Sequence, residues 1–240
     1  MTSLAPVSPD SIRHPLTRTL LVLTFTTGVI DAASFLGLGN VFAANMTGNV
    51  VLLGFGVAGA AGLPVVGPLV SLGAFVAGAV LGGRMASRLP ARTLHLSRSM
   101  LIEIGVLLVA TVWSLLVDVT AARFSGDVVI ALLAFAMGVR NATIRRVKVA
   151  DLTTTVLTLT LTGLAADSPL AGGDGSGSWR RGAAVVAMLL GAIAGALLLK
   201  VDIALVLGLA AALAILTWVV LVPAASAADR AAEAAERPRG

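Results

Sequence analysis

The stretch VFAANMTGNVVLLG, residues 41–54, breaks an otherwise apolar chain with polar residues. Asn45, Thr47 and Asn49 stand where a membrane-spanning helix would be expected to remain apolar. The apolar segment that begins here, residues 46–61, is shorter than the roughly 20 residues that a comfortable span requires. A short apolar segment with a polar start is typical of a re-entrant segment, which enters the membrane and leaves on the same side.

A second segment of this kind lies at residues 152–165, LTTTVLTLTLTGLA, and contains six threonines. The remaining apolar segments are longer or more uniform, and we interpret them as spans: 19–38, 66–83, 99–117, 128–144, 182–199 and 203–222. The sequence therefore predicts an all-α, polytopic membrane helix bundle with six spans and two re-entrant half-helices.

The composition supports this fold class. Of 240 residues, 58% are hydrophobic and only 12% are charged, whereas soluble domains have about 25% charged residues. The net charge of +5 does not indicate a nucleic-acid partner, because the basic residues lie between apolar segments and Tyr is absent. The lack of Cys excludes disulfides and thiolate metal sites, and two His are too few for an imidazole site. We expect no metal and no other cofactor.

The distribution of Lys and Arg favours six spans over eight. With six spans and a cytoplasmic N-terminus, only Arg123 and Lys200 lie outside, which leaves fifteen of the 17 basic residues inside. With eight spans and a parallel 4+4 repeat, the same count gives eight inside and nine outside. The positive-inside rule selects the first arrangement. We predict a multi-pass protein of the bacterial inner membrane, with both termini cytoplasmic.

The two halves of the chain resemble each other. GVIDA (28–32) matches GVRNA (138–142), and ANMTGNVV (44–51) matches ADLTTTVL (150–157). GAVLGG (78–83) likewise matches GAIAGA (191–196), and IEI (102–104) matches VDI (201–203). Since each half holds three spans, the halves would lie in the membrane in opposite orientations, as an inverted 3+3 repeat. The expected division is a mobile leader 1–16, repeats 17–122 and 123–223, and a solvated tail 224–240.

Asp31 is the main candidate for a functional side chain. It follows Arg18 by 13 positions, which places it roughly 20 Å into the membrane at 1.5 Å per residue. A carboxylate there costs about 2.5–3.5 kcal/mol and usually faces a cavity or a partner. We interpret it as a proton- or cation-coupling group or a ligand contact; the alternative is a structural hydrogen bond to the broken backbone nearby. Asn141 occupies the matching position in the second half.

The polar residues of the two short segments could line a substrate or ion site, or could cap their helices. They are Asn45, Thr47, Asn49, Asp151, Thr153, Thr154 and Thr155. Capping alone accounts for one residue per segment, such as Asn45 and Asp151. Helix N-termini of this kind would favour a small anion or an organic acid as the ligand.

Two further charged residues could take part in coupling or gating. For Glu103, the simpler interpretation is an ion pair with Arg98 or a snorkelling position, a few residues inside the cytoplasmic face. For Arg140, it is a position at the end of a span, in a basic cluster. The small residues Gly78/Gly82 and Gly191/Gly195 predict close packing between the halves, or alternatively the seam of a homo-oligomer.

The two blocks GVIDAASFLGLGNVFAANMTGN and GVRNATIRRVKVADLTTTVLTLTLTGLA resemble the YoaK-type family of bacterial membrane proteins, a domain of unknown function (number 1275). The resemblance covers roughly residues 18–222. It implies a polytopic inner-membrane protein of about this size, and it brings no substrate, cofactor or catalytic residue.

These features favour a transporter of an unknown small molecule or ion, with a central site at two broken helices and proton coupling through Asp31. A channel is the nearest variant. A structural or regulatory membrane protein is the alternative from another class. An enzyme is least favoured, because a membrane-embedded nucleophile–base pair or metal site is not evident.

Overall fold

The computed structural model describes residues 14–89, 92–121, 123–147, 157–175, 177–227 and 230. In this part of the chain all regular structure is helical, so the predicted fold class is confirmed. Its α-helices are α1 (Pro15–Ala32), α2 (Met46–Val57), α3 (Val66–Arg88), α4 (Arg92–Leu116), α5 (Phe124–Val147), α6 (Leu157–Ala166), α7 (Ser178–Leu199) and α8 (Ile203–Leu216).

Six of the helical segments are long and apolar enough to cross a membrane, and α2 and α6 are the two short ones. The π-helical turn Ala33–Gly37 extends α1, and the turn Thr217–Leu221 extends α8. A 3-10 turn at Pro169–Ala171 lies between α6 and α7. The helices that we predicted as re-entrant are therefore the ones that are too short to span.

The contacts between helices show which of them run in the same direction. Along α1 and α7, Phe25 lies beside Gly191 and Val29 beside Gly195, so these helices are parallel. Helices α3 and α5 are parallel as well, because Gly78 meets Phe135 and Gly82 meets Val139. Each pair keeps its order along both helices.

Helix α4 is antiparallel to α5 and to α8. Ser99 bonds to Thr143 near one end of the α4–α5 contact, and Trp113 bonds to Ser125 at the other. Trp218, beyond the end of α8, donates a hydrogen bond to Ser97 near the start of α4. Near that same end of the bundle, Leu16 of α1, Leu96 and Met100 of α4, and Val222 and Ala225 after α8 form one apolar cluster.

Together these contacts give α1, α4 and α7 one direction and α3, α5 and α8 the other. Because α1 and α3 run oppositely, the chain between them, which contains α2, begins and ends at the same end of the bundle. The prediction of six spans is confirmed, and the eight-span alternative, in which α1 and α3 would be parallel, is not supported.

The glycine pairs allow two close helix crossings inside the chain. A Cβ atom at Gly191 would overlap the carbonyl oxygen of Phe25, and one at Gly78 would overlap that of Phe135. Gly195 lies against Val29 and Gly82 against Val139 in the same way. Helices of the same chain thus pack against both glycine faces. This is the close packing between the halves that the sequence predicted as one of two interpretations.

Two expectations from the sequence were wrong: that the last apolar segment ends at residue 222, and that Glu103 and Asp202 hold matching places in the two halves. The helix that includes α8 does not stop at Pro223 but continues through Ala227, and Ala225 is fully buried. A proline lacks the amide hydrogen and normally collides with the carbonyl four residues earlier. Here that carbonyl belongs to Val219, within the wider π-helical turn at Thr217–Leu221. The match of Glu103 with Asp202 also fails, because Glu103 lies in the middle of α4 whereas Asp202 caps the start of α8.

Candidate functional site

The chain between α1 and α2 folds back along α1 and is held there by Asp31. The Oδ1 atom of Asp31 accepts hydrogen bonds from the amides of Ala43, at 3.1 Å, and Ala44, at 2.8 Å. The hydroxyl of Ser34 accepts a second bond from the Ala43 amide at 3.1 Å. One of the two carboxylate oxygens of Asp31 therefore has the structural role that the sequence offered as an alternative. The broken backbone is satisfied inside the membrane, as irregular structure at that depth requires.

Asn49 holds the same break from the α2 side. Its side chain accepts a bond from the Phe42 amide at 2.8 Å and donates to the Phe42 carbonyl at 2.7 Å. It also donates to Ser71 of α3 at 3.0 Å, and Ser71 donates to the Phe42 carbonyl at 2.7 Å. Asn49 is fully buried in this network. Its contacts are those of a structural residue.

Asn45 is the N-cap of α2, since its side-chain oxygen accepts a bond from the Gly48 amide at 3.2 Å. This is the capping role that the sequence offered as an alternative to site lining. Thr47, the second residue of the helix, is exposed. Asn45 also lines the cavity described next, whereas Thr47 and Asn49 do not.

A cavity of about 540 Å³ lies beside Asp31, within the size range of small-molecule sites. Both halves of the chain line it: α1 with its π-helical turn and the break before α2 on one side, and α6 and α7 on the other. Its polar lining residues are Thr27, Asp31, Asn45 and Thr158, and its large apolar ones are Phe35, Leu36, Phe42, Leu157, Met188 and Ile193. Asp31 is its only charged residue among those that the structure describes.

Both short helices begin at this cavity and run away from it in opposite directions. The first residues of α6, Leu157 and Thr158, line it. The other end of α6 reaches the start of α7, where Arg181 bonds to the Gly163 carbonyl at 2.8 Å. Helix α2 instead ends near the start of α3, with Gly56 close to Pro64. The cavity thus lies where two half-helices from opposite ends of the bundle meet.

Directly behind the cavity, Arg140 of α5 and Glu103 of α4 form a buried, bidentate ion pair. Arg140 also donates to the hydroxyl of Thr27 at 2.8 Å and to the carbonyl of Leu23 at 2.9 Å. Both simpler interpretations from the sequence were wrong: Glu103 is not paired with Arg98, and Arg140 does not end its span. Their side chains are only 2% exposed, and a buried charge requires a partner.

Of the residues that the sequence predicted, Asp31 and Asn45 therefore line the cavity, and Arg140 reaches it through Thr27. Asn141 bonds to the carbonyl of Met137 in its own helix at 2.9 Å and does not line the cavity. Four predicted residues lie outside the part that the structure describes: Asp151, Thr153, Thr154 and Thr155.

The sequence reasoning missed Thr27 and the aromatic pair Phe35 and Phe42. Thr27 lies one helical turn before Asp31 and so on the same face of α1, a signal that the sequence does contain. The two phenylalanine rings stack with centroids 4.5 Å apart and planes at 23°. Their meeting depends on the chain folding back after the π-helical turn, which no local pattern indicates.

Comparison with known proteins places the chain in a family. The family model described as "Protein of unknown function (DUF1275)" matches residues 19–221. The chain is also 30% identical to the UPF0700 transmembrane protein YoaK of Bacillus subtilis (strain 168) over 151 residues. That match covers 62% of this chain and 65% of the relative, which is slightly less than two thirds of its length. No solved structure matches.

The family model covers all six spans except the first residues of the first span and the last residues of the sixth. It also covers both short helices and every described residue that lines the cavity. The sequence-based resemblance to the YoaK-type family is confirmed. The chain therefore belongs to the DUF1275 family, as a multi-pass membrane protein.

Proposed function

We propose that this protein is a transporter of a small molecule or ion and that the cavity beside Asp31 is its substrate site. The observation that carries the proposal is that both short helices begin at one cavity, each coming from a different half of the chain. Sites built from discontinuous helices near the middle of the membrane are a recurrent plan of secondary transporters.

The proposal includes an inverted repeat of the two halves. Support comes from the contacts of Gly28 and Gly138, which match each other in the sequence repeat. Gly28 lies against the carbonyl of Met188 and the amide of Ala192, and Gly138 against those of Phe75 and Ala79. The contact residues of α7 follow those of α3 by 113 positions in both cases: Met188 follows Phe75, and Ala192 follows Ala79. The matched helices also run oppositely: α1 against α5, α3 against α7, and α4 against α8.

The proposed orientation follows from charge. Helices α1, α4 and α7 start at one end of the bundle, where α3, α5 and α8 finish. Described basic residues gather at this end, among them Arg18, Arg88, Arg98 and Arg146, whereas Arg123 and Lys200 lie at the other end. The positive-inside rule then makes the first end cytoplasmic. In this orientation the protein belongs to the bacterial inner membrane with its N-terminus inside.

Proton coupling through Asp31 is part of the same proposal. One carboxylate oxygen holds the broken backbone, whereas the structure gives the Oδ2 atom no hydrogen-bond partner among the residues it describes. The carboxylate borders the cavity and is 7% exposed. A carboxylate in such a place can take up a proton or hold a ligand without giving up its structural bonds.

The test uses the absence of Cys from the chain. We expect Ala192→Cys, in the cavity wall, to react with a membrane-impermeant methanethiosulfonate reagent in both right-side-out and inside-out vesicles. A transporter exposes its site to each side in turn, so one residue becomes accessible from both sides. The measurement is the fraction of protein modified over time in each vesicle type.

The matched control is Ala79→Cys, since Ala79 holds the corresponding place in α3 and does not line the cavity. It should react slowly from either side. Modification of Ala192→Cys from one side only, or from neither, would instead favour a structural or regulatory membrane protein.

A further inference from the structure

We infer that the cavity takes a small amphipathic organic cation, with its positive charge beside the Oδ2 atom of Asp31 and its apolar part along Phe35, Phe42 and Met188. This inference rests on the proposed function and names the chemical class of its substrate. The ligand proposed here is a cation, whereas the helix N-termini in the sequence favoured an anion.

The charge of the cavity wall favours a cation. Asp31 is the one charged residue among its described lining residues. The nearest cation behind the wall, Arg140, is neutralised by its bidentate contact with Glu103. A single carboxylate beside an apolar wall attracts a cation, because a low-dielectric surrounding screens the interaction less than bulk water does.

The break before α2 also offers few free amides to an anion. Anion sites at helix N-termini depend on backbone N–H groups that have no other partner. Here the amides of six residues are bonded within the chain: Phe42 to Asn49, Ala43 and Ala44 to Asp31, Met46 to the Ala44 carbonyl, Gly48 to the Asn45 side chain, and Asn49 to the Asn45 carbonyl. The start of α2, which could otherwise attract an anion, is therefore largely occupied by the protein's own groups.

The remaining wall of the cavity is aromatic and apolar. The stacked rings of Phe35 and Phe42 line the cavity together with Asp31, and the face of an aromatic ring attracts a cation through its quadrupole. Met188 adds a flexible, polarizable side chain on the opposite wall. An inorganic cation has no apolar body to place against Met188, whereas an organic ammonium with an apolar body would contact both surfaces.

The arrangement also explains how a proton gradient could drive such a substrate. Protonation of Asp31 removes the only charge on the described wall, so a proton and an organic cation exclude each other at one carboxylate. Mutually exclusive binding makes the two move in opposite directions, one on each half of the cycle.

The experiment compares three ligands of similar shape and different charge on the full chain in lipid nanodiscs, by isothermal titration calorimetry. They are benzyltrimethylammonium, its uncharged carbon analogue neopentylbenzene, and phenylacetate. We expect the cation to bind best and to bind more weakly as the pH falls, because its own charge is permanent and only the protein can titrate. Asp31→Asn should weaken its binding by about tenfold or more, with little effect on neopentylbenzene.

Asp167→Asn is the matched control, because it makes the same chemical change in a half-exposed carboxylate that pairs with Arg181 away from the cavity. It should leave all three affinities unchanged. If Asp31→Asn does not fold, Ala196→Phe offers a second test, since the larger side chain fills the cavity and should abolish binding of the cation.

The outcomes separate the inference from the proposed function. Preferential binding of phenylacetate or of neopentylbenzene, together with two-sided reactivity of Ala192→Cys, overturns the cation and leaves the transporter standing. Cation binding that Asp31→Asn and Ala196→Phe do not change overturns the assignment of the site. If none of the three ligands binds and Ala192→Cys reacts from one side only, both proposals fail.

Discussion

Glu103→Leu should lower the free energy of unfolding by about 3–5 kcal/mol, the cost of leaving one member of a buried ion pair without its partner. Arg140 would then keep a full charge in the interior, because a guanidinium does not lose its proton in proteins. Its remaining bonds, to the Leu23 carbonyl and the Thr27 hydroxyl, are to neutral groups. Chemical unfolding in detergent micelles, followed by Trp fluorescence, measures the loss.

The size of the effect should depend on which partner is removed. Arg140→Met should cost less than Glu103→Leu, because a lone buried carboxylate can take up a proton. The double variant Glu103→Leu/Arg140→Met should recover most of the stability, as replacement of whole buried pairs by apolar residues commonly does. A double variant as unstable as Glu103→Leu would contradict this account and would mean that the shape of the side chains, rather than their charge, holds α4 against α5.

Gly191→Ala should destabilise the protein by about 3 kcal/mol or more, at or above the upper end of the usual cost of overpacking. The added Cβ atom would overlap the carbonyl oxygen of Phe25, which belongs to the backbone of α1 and cannot rotate away. Helices α1 and α7 would have to separate, and the wall of the cavity between them would move. Gly78→Ala should cost a similar amount, since its Cβ would overlap the carbonyl of Phe135.

Gly73→Ala and Gly83→Ala are the matched controls in α3. A Cβ atom at either position meets no atom within 4 Å, so each change should be neutral or stabilise the helix by up to about 1 kcal/mol. Thermal unfolding of the four variants side by side is the measurement. Equal losses at Gly73 and Gly191 would show that the α1–α7 crossing is looser than the structure has it.

The architecture could be predicted from the sequence because only a few sequence patterns are compatible with a chain that spans a membrane. Apolar segments of sufficient length, the polar start NMTGN and the uneven distribution of Arg led to six spans and two short helices. Asp31 could be found by the same reasoning, because an isolated carboxylate at that depth is costly and usually has a partner or a function. Its partners, Ala43 and Ala44, lie in the break that the sequence located.

The pairing of Glu103 with Arg140 could not be predicted in this way. The two residues are 37 positions apart on neighbouring helices, and their contact depends on the rotation of α4 about its axis. An estimate of depth from the sequence placed Glu103 near the cytoplasmic face because α4 was expected to begin later than it does. The continuation of helix past Pro223 was missed for a comparable reason, since the π-helical turn that permits it has no clear sequence signature.

The central claim is that the chain between α1 and α3 begins and ends on one side, so that α2 reaches the cavity from outside without crossing the membrane. Single variants Arg18→Cys and Ala61→Cys, both at exposed positions at the two ends of the segment that holds α1 and α2, test this most directly when intact cells are labelled with a membrane-impermeant maleimide. We expect Ala61→Cys to be labelled and Arg18→Cys to be labelled only after the cells are opened. Labelling of both positions from the same side would mean that α2 crosses the membrane, and it would contradict both the six-span fold and the site built on it.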